Sequence, residues 1–576
     1  MISAAIPALI SYGVYANLRG SSADPTWLYL SGGCAAFFGT VAAIRFARDW
    51  GIWFAAKQLA KPIGIYGATR GLNEHDPREF GLKTTNTNGD GLFLGMKSDD
   101  VKPMPLFYDG DSHGLIVAGT GGGKTSSLSK PMRLSLGAHR NAIITAKGED
   151  MAVSLHRFLT KELRQEVVCI DPYRLMKRHG IKSDDYNPCD VLVALVGESS
   201  PEIFEKAHEI ALVLLPEHSP GGGENKIFRD MGRGFIAFGL IFLAIEQAST
   251  GELCCNLAYL NRLLNEGTDE LAMFFGRMAA CPDYDGAVAR AGRRMLSKFK
   301  KSAKSAENFI TEPQAALQIF EPVTHIGKSV EYTTFNPADL KTPGKKITIF
   351  IILPPEKSQL TSTYIGLCLN MLLVGCIEAN RFEPRVTVLA DEFENIAPGP
   401  LPIVERVLKI GRTRGVQLWA FAQAMQGGLE AKYGDLAQMF FSQTAVQLLW
   451  DIRNVDEAEK YSKRAGKVSF IKPHFGPAQD LYDQRPQEEP IDYIRIDELT
   501  QMPKFKSILF FEQNPPMMLD LVHYNQCAEW SELVDSVPGA PAEPEFARQF
   551  SVTPREPKSS RLRSAARRFG QKLRSE

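Results

Sequence analysis

The stretch Ala118-Gly119-Thr120-Gly121-Gly122-Gly123-Lys124-Thr125 follows the apolar run Gly114 to Val117 and precedes a segment of helical character that starts near Ser126. A strand, a glycine-rich loop and a helix in that order make a P-loop. Glycines at 119, 121, 122 and 123 let the backbone wrap so that successive N–H groups and the helix N-terminus converge on phosphate oxygens. Thr120 and Ser126 complete the binding loop, Lys124 is placed for the β and γ phosphates, and the Thr125 hydroxyl suits Mg²⁺, a hard cation that prefers oxygen. Ala118 stands where the strict pattern has glycine. The expected ligands are therefore ATP and Mg²⁺.

A P-loop needs an acid at a second strand end to hold the metal and orient water. Val386-Thr387-Val388-Leu389-Ala390-Asp391-Glu392 supplies it: Asp391 for Mg²⁺, Glu392 to polarise the attacking water. The plainer reading is a pair of acids capping a buried strand. The two motifs lie about 265 residues apart, a separation that calls for an insertion between them. Gly411-Arg412-Thr413-Arg414-Gly415 then precedes a strand, and Gln423 closes it. Arg412 is a candidate arginine finger toward a neighbouring subunit, and Gln423 a candidate γ-phosphate sensor. Against these stand a solvated turn and a satisfied polar cap.

From about residue 100, apolar runs alternate with longer amphipathic segments, the pattern of a parallel sheet with helices on both faces. Candidate strands are 114–118, 142–145, 167–170, 347–353, 386–390, 417–422 and 445–450. Between 196 and 335 helical periodicity dominates, and the apolar run Phe235 to Ile245 is too short for a bilayer and reads as a buried helix. The fold class is α/β: a RecA-like P-loop NTPase with a mainly parallel twisted sheet, an inserted all-α domain and an N-terminal transmembrane helical hairpin. The expected divisions are 1–46 (hairpin anchor), 47–195 and 336–530 (nucleotide-binding domain), 196–335 (all-α insertion) and 531–576 (basic flexible tail).

The hairpin rests on two uncharged apolar stretches, Ile2 to Leu18 and Thr26 to Ile44, divided by a loop with Arg19, Asp24 and Pro25. Both are near the short end of a bilayer span, and Gly32, Gly33 and Gly39 weaken the second. Arg45, Arg48, Lys57 and Lys61 follow closely and leave the large body in the cytoplasm. A signal peptide fits poorly without a basic start; two buried core helices are the other reading.

The 576 residues exceed one hydrophobic core, and the formal charge is zero, so no global field marks a nucleic-acid or membrane-surface protein. The nine cysteines are scattered and match neither a zinc site nor a disulfide framework, in keeping with a reducing compartment. Two local basic runs stand out. Arg290, Arg293, Arg294, Lys298, Lys300, Lys301 and Lys304 suit a phosphate backbone, or the solvated face of an amphipathic helix with Met295, Leu296 and Phe299 inward. The run Arg555 to Arg574 suits anionic lipid, a partner or a plain solvated tail.

Taken together, His113 to Val117 with the P-loop, Lys147-Gly148-Glu149, Tyr186-Asn187-Pro188, Asp391-Glu392-Phe393, Gly411 to Gln423 and Ser507 to Tyr524 resemble the TraG/TraD-like coupling proteins of type IV secretion systems. The likeness runs from the hairpin to about residue 525. Thr145 and Ala146 depart from it, standing where an acid and a proline commonly precede Lys-Gly-Glu. The resemblance implies an inner-membrane, multi-pass homo-hexamer with its large domain in the cytoplasm and a helical domain that receives substrate. Its implied partners are the secretion channel components, a relaxosome DNA–protein complex and effector proteins. The implied function is an ATPase that recruits DNA or protein and powers its transfer through a type IV secretion or conjugation channel. Two readings compete: a septal-type double-stranded DNA translocase, disfavoured by a tail too short for a winged-helix reader, and a non-hydrolysing ATP-dependent substrate receptor, disfavoured by Glu392.

Overall fold

A computed structural model describes residues 14, 16–17, 25–59, 76–97, 103–216, 223–301, 303–471, 488–538 and 550–552. The chain divides into two compact units, residues 72–461 with 496–576, and residues 1–71 with 462–495.

The larger unit is built on an 11-stranded sheet in the order β2 (Met104–Tyr108), β1 (Leu92–Lys97), β13 (Met517–Asp520), β12 (Lys506–Phe511), β9 (Thr444–Trp450), β3 (His113–Ala118), β8 (Val416–Ala422), β7 (Val386–Ala390), β4 (Asn141–Lys147), β6 (Ile347–Leu353) and β5 (Glu166–Ile170). Seven strands are parallel: β3, β4, β5, β6, β7, β8 and β9. These are the seven strands expected, each within one residue at either end or, for β4, two. Their near-continuous apolar runs reflect burial on both faces: β3, β7, β8 and β9 are buried at every position. An antiparallel wing of β12, β13, β1 and β2 extends the β9 side. β1 precedes the expected onset of alternation near residue 100 and β2 directly follows it; neither is among the expected strands. Gly95, at φ +146, sits at a register shift between the two strands, Gly91 directly precedes β1 and Pro105 pairs with Met96 inside β2, so the segment reads as turns.

Between β5 and β6 the described chain is helical, with Gly223–Thr250 as its longest element. Phe235, Ile236, Ala237, Leu240, Ile241, Leu243 and Ala244 in that helix are fully buried, so the run is core. Asn187 of the Tyr-Asn-Pro element is a clamp at the entry to this region. Its side-chain amide donates to Asp190 (2.6 Å) and to the Cys255 carbonyl (2.9 Å), and its oxygen accepts from Cys189 N–H (3.1 Å). Helix Ala287–Lys301 buries Val288, Ala291 and Met295 and leaves Arg290, Arg293 and Arg294 exposed, the solvated-face arrangement. The side chains of Lys300, Lys301 and Lys304 fall outside those described.

Among the described residues one helical stretch is long and apolar enough to cross a membrane, Thr361–Glu378, and 83% of it is buried. It belongs to helix Ser358–Glu378, which is apolar all round because it is packed all round.

The tail differs from expectation at its start. Trp530 is buried, Leu533, Val534, Val537, Phe550 and Val552 pack on the sheet core, and Arg157 bonds Asp535 at 2.7 Å. A few apolar side chains at helical spacing anchor a segment whose average composition is polar. The basic run 555–574 lies outside the described residues.

In the smaller unit, helix Pro25–Leu59 runs well past residue 46, and the apolar stretch within it, Gly33–Ala47, is shorter than a full span. Leu30, Phe37, Ile44, Phe46 and Trp50 are exposed on it. The first apolar stretch lies outside the described residues apart from 14, 16 and 17. The same unit contains a hairpin of β10 (Lys467–Ile471) and β11 (Glu488–Asp492), which sequence reading missed. All nine cysteines are unpaired, and no metal-ligating cluster of three His, Cys, Asp or Glu occurs among the described residues.

Candidate nucleotide site

The order β9-β3-β8-β7-β4 aligns five carboxyl ends, where open parallel sheets bind ligands. β3 delivers the P-loop and β7 delivers Asp391, with β8 between them. Because β8 ends at Ala422, Gln423 emerges between the loop and the acids.

The loop is shaped by its glycines. Gly121 and Gly123 take φ of +81 and +76, a region that L side chains rarely occupy. A Cβ on Gly119 would meet the Asp451 carboxylate at 2.6 Å, and one on Gly122 the Trp450 indole nitrogen at 2.9 Å. Trp450 also donates to the Gly122 carbonyl at 2.7 Å. The end of β9 thus braces the loop, a role for Trp450 and Asp451 that sequence reading missed because nothing local signals it. After Lys124 the chain makes one wide helical turn, Thr125–Ser129, and continues as helix Lys130–Ser135.

Lys124 is 9% exposed. Its ammonium donates to the carbonyls of Ala118 (2.9 Å) and Ala422 (3.4 Å), the last residues of β3 and β8. Burial lowers its pKa, opposed by Asp391, Glu394 and Glu392. Thr125 Oγ1 donates to Asp391 Oδ2 at 3.3 Å. Burial raises the Asp391 carboxyl above its ordinary value, with Lys124 pulling it back. Glu392, in left-handed backbone at φ +48, pairs its carboxylate with Lys147 at the end of β4. Thr145, where the chain departs from the family likeness, donates to the Asp391 carbonyl at 3.3 Å. Gln423 Oε1 accepts from Thr120 Oγ1 at 3.1 Å.

Together Thr120, Gly121, Gly122, Gly123, Lys124, Thr125, Ser126, Lys147, Asp391, Glu392 and Gln423 line a cleft of about 340 Å³. Gly119 stands below it, at the loop base against Asp451. Arg412 is not brought to this cleft. It lies exposed in the turn Arg412–Arg414 that feeds the opposite end of β8, roughly 20 Å away along a strand. A larger cavity of about 710 Å³, lined by Asn187, Asp190, Lys341 and Arg381 among others, contains none of the phosphate-loop residues.

The residues fit a magnesium-bound triphosphate. A hydroxyl and a carboxylate, both hard oxygen donors, converge beside a buried ammonium and a loop cleared of side chains.

This sheet order and this cleft define a P-loop nucleotide-binding protein with a RecA-like domain. Residues 76–542 match the model of the type IV secretory system conjugative DNA transfer family, and the chain belongs to that family. Its place is therefore in type IV secretion, coupling conjugative DNA transfer. Solved structures of similar fold include the bacterial conjugative coupling protein TrwBdeltaN70 in its unbound monoclinic form, 15% identical over 78% of this chain and 89% of that one, TM-score 0.54. The plasmid coupling protein TrwB with the non-hydrolysable GTP analogue GDPNP is 14% identical, covering 77% and 88%, TM-score 0.53. TrwB with ADP and Mg²⁺ is 14% identical, covering 72% and 86%, TM-score 0.53. No curated protein matches the chain.

Proposed function

We propose that this chain hydrolyses Mg²⁺-ATP and uses the energy to drive DNA, or protein carried with it, into a type IV secretion channel. One observation carries the reading: Lys124, Thr125, Asp391 and Glu392, drawn from two distant parts of the chain, line one cleft at the carboxyl ends of β3 and β7, which flank β8. Solved complexes of TrwB, of similar fold, contain ADP with Mg²⁺ and ATP or GTP analogues. In the site, the N–H groups of Gly119 to Ser126 and the Lys124 ammonium receive the phosphates. Thr125 and Asp391 would hold Mg²⁺, which supplies charge neutralisation at the phosphate oxygens. Glu392 accepts a proton from water as its oxygen bonds to the γ-phosphorus and the bond to the β-phosphate oxygen breaks, giving ADP and phosphate. Gln423 senses the γ-phosphate end.

The position of Arg412 at the far end of β8 supports action in trans, which requires an oligomer; a homo-hexameric ring is the reading. Membrane attachment through a hairpin, with the large unit in the cytoplasm, is supported by the exposed apolar side chains of helix Pro25–Leu59. Channel components, relaxosome and effectors are the proposed partners. Family membership favours this reading over a septal DNA pump, and the Lys147–Glu392 pair at the cleft favours hydrolysis over a passive receptor.

The test is ATP turnover of the purified full-length chain, with and without single-stranded DNA over a salt series. Turnover should be Mg²⁺-dependent and stimulated by DNA, with stimulation fading as salt rises. Lys124→Ala should stay in the membrane fraction and lose turnover; undiminished hydrolysis in it would refute the assignment.

A further inference from the structure

The run Asp391-Glu392-Phe393-Glu394-Asn395 carries a third acid that the hydrolytic assignment leaves unused. Glu394 points inward. Its Oε1 accepts the backbone N–H of Gln423 at 2.8 Å, while Oε2 is buried without a hydrogen-bond partner. Its own carbonyl accepts from Lys432 Nζ at 2.7 Å, and Lys432 also reaches the Ala397 carbonyl. The turn after β7 and the chain after β8 are therefore tied twice and reciprocally, once by an acid from the first and once by a base from the second. Phe393, fully buried and stacked on Tyr433 at 5.6 Å, fixes the turn from its other side.

Such an arrangement costs stability. Burial raises the Glu394 carboxyl above its ordinary value and lowers the Lys432 ammonium to about 8. A neutral side chain would close the same turn without a buried charge or an orphaned oxygen. What the carboxylate does provide is a fixed height for the β8 tip. That tip carries Gln423, whose side chain already meets Thr120 of the phosphate loop at 3.1 Å.

We propose that Glu394 is a positioning residue for ATP hydrolysis: by holding the Gln423 N–H, it sets the carboxamide of Gln423 at the phosphate end of the P-loop. This rests on the reading of Gln423 as the γ-phosphate sensor. Glu394 itself touches no reacting atom.

The experiment compares Glu394→Ala, Glu394→Gln, Gln423→Ala and the double variant Glu394→Ala/Gln423→Ala in the full-length chain, reading kcat, KM for ATP and ADP affinity. Glu394→Ala should lower kcat about tenfold or more, as misplacement of a reacting group does. ADP affinity, which involves no γ-phosphate, should stay within about twofold. Glu394→Gln keeps the acceptor oxygen and should restore kcat to within about threefold of the parent. The double variant should be no worse than Gln423→Ala alone, since both remove one function.

Full activity in Glu394→Ala with a deficient Gln423→Ala would overturn the role of Glu394 and leave that of Gln423 standing. A Gln423→Ala variant that turns over normally would overturn the sensor and this proposal with it. Additive losses in the double variant, or no recovery in Glu394→Gln, would show that Glu394 acts otherwise than through Gln423. Should Glu394→Ala not fold, amide exchange at Gln423 in Glu394→Gln decides: protection like the parent's supports the bond, and loss of protection overturns it.

Discussion

The hydroxyl of Thr125 and the carboxylate of Asp391 lie 3.3 Å apart although 266 positions of chain separate them. Two oxygen donors at that spacing suit a shared cation, and the buried Lys124 ammonium beside them offsets part of the cost of burying the Asp391 carboxylate.

The protonation of Asp391 follows from its burial. Its pKa is raised from 3.8, so on acidification the folded chain takes up a proton before an unfolded aspartate does. In terms of linkage, the raised value makes the ionised carboxylate a stability cost, absent below the ordinary range and present in full above the raised value. Mg²⁺-dependent ATP binding should therefore fall on acidification while the pH is still above 3.8. Binding calorimetry with and without Mg²⁺ across pH checks this, and Asp391→Asn should flatten the Mg²⁺-dependent component.

His113, the first residue of β3, has the opposite sign. Burial lowers its pKa from 6.5 to about 4, and its Nδ1 accepts the Leu418 N–H at 3.1 Å. A depressed histidine contributes stability above its unfolded value that is lost as pH falls through the folded one. The window is 6.5 down to about 4, and the loss over it is roughly 3 kcal/mol. Thermal melts should show the P-loop unit weakening across this window, with a shallower slope in His113→Asn.

Gly114 allows β3 and β8 to approach beneath the P-loop. A Cβ there would lie 2.3 Å from the Trp419 ring, and Trp419 is fully buried. Gly114→Ala should destabilise the chain by about 1–3 kcal/mol, the range for overpacking a dense core. Adding Trp419→Leu should recover part of the loss in denaturant unfolding, because the ring is the clashing group.

Arg412 makes a prediction about assembly. Its turn and the cleft occupy opposite ends of β8, so within one subunit the side chain cannot serve its own site. On the proposed action in trans, Lys124→Ala and Arg412→Ala subunits should each be inactive alone, yet mixtures should regain turnover, one providing the arginine and the other the P-loop. Mixtures no more active than the separate variants would place Arg412 outside catalysis.

Much of the fold is legible in the sequence. The seven parallel strands announce themselves because burial on both faces demands unbroken apolar runs, whose ends fall within a residue or two of the strand ends. β1 and β2 were not read, since Gly91, Gly95 and Pro105 disguise a bulged antiparallel pair as turns. The anchoring of the segment after 530 was hidden by its composition, because a handful of contacts from Trp530, Leu533 and Val534 outweigh many polar neighbours. Trp450 and Asp451 were missed for a plainer reason: their work is against the loop of another strand.

The sequence by itself determined the phosphate loop, because its chemistry is local: consecutive glycines, a lysine and a threonine need only the strand before them and the helix after. Tertiary structure alone decided which distant groups join it. The order of strands brings Asp391 beside Thr125, sets Gln423 against Thr120, leaves Arg412 at the opposite end and turns Glu394 inward. That order is set by packing across the whole sheet, which no single stretch of residues contains.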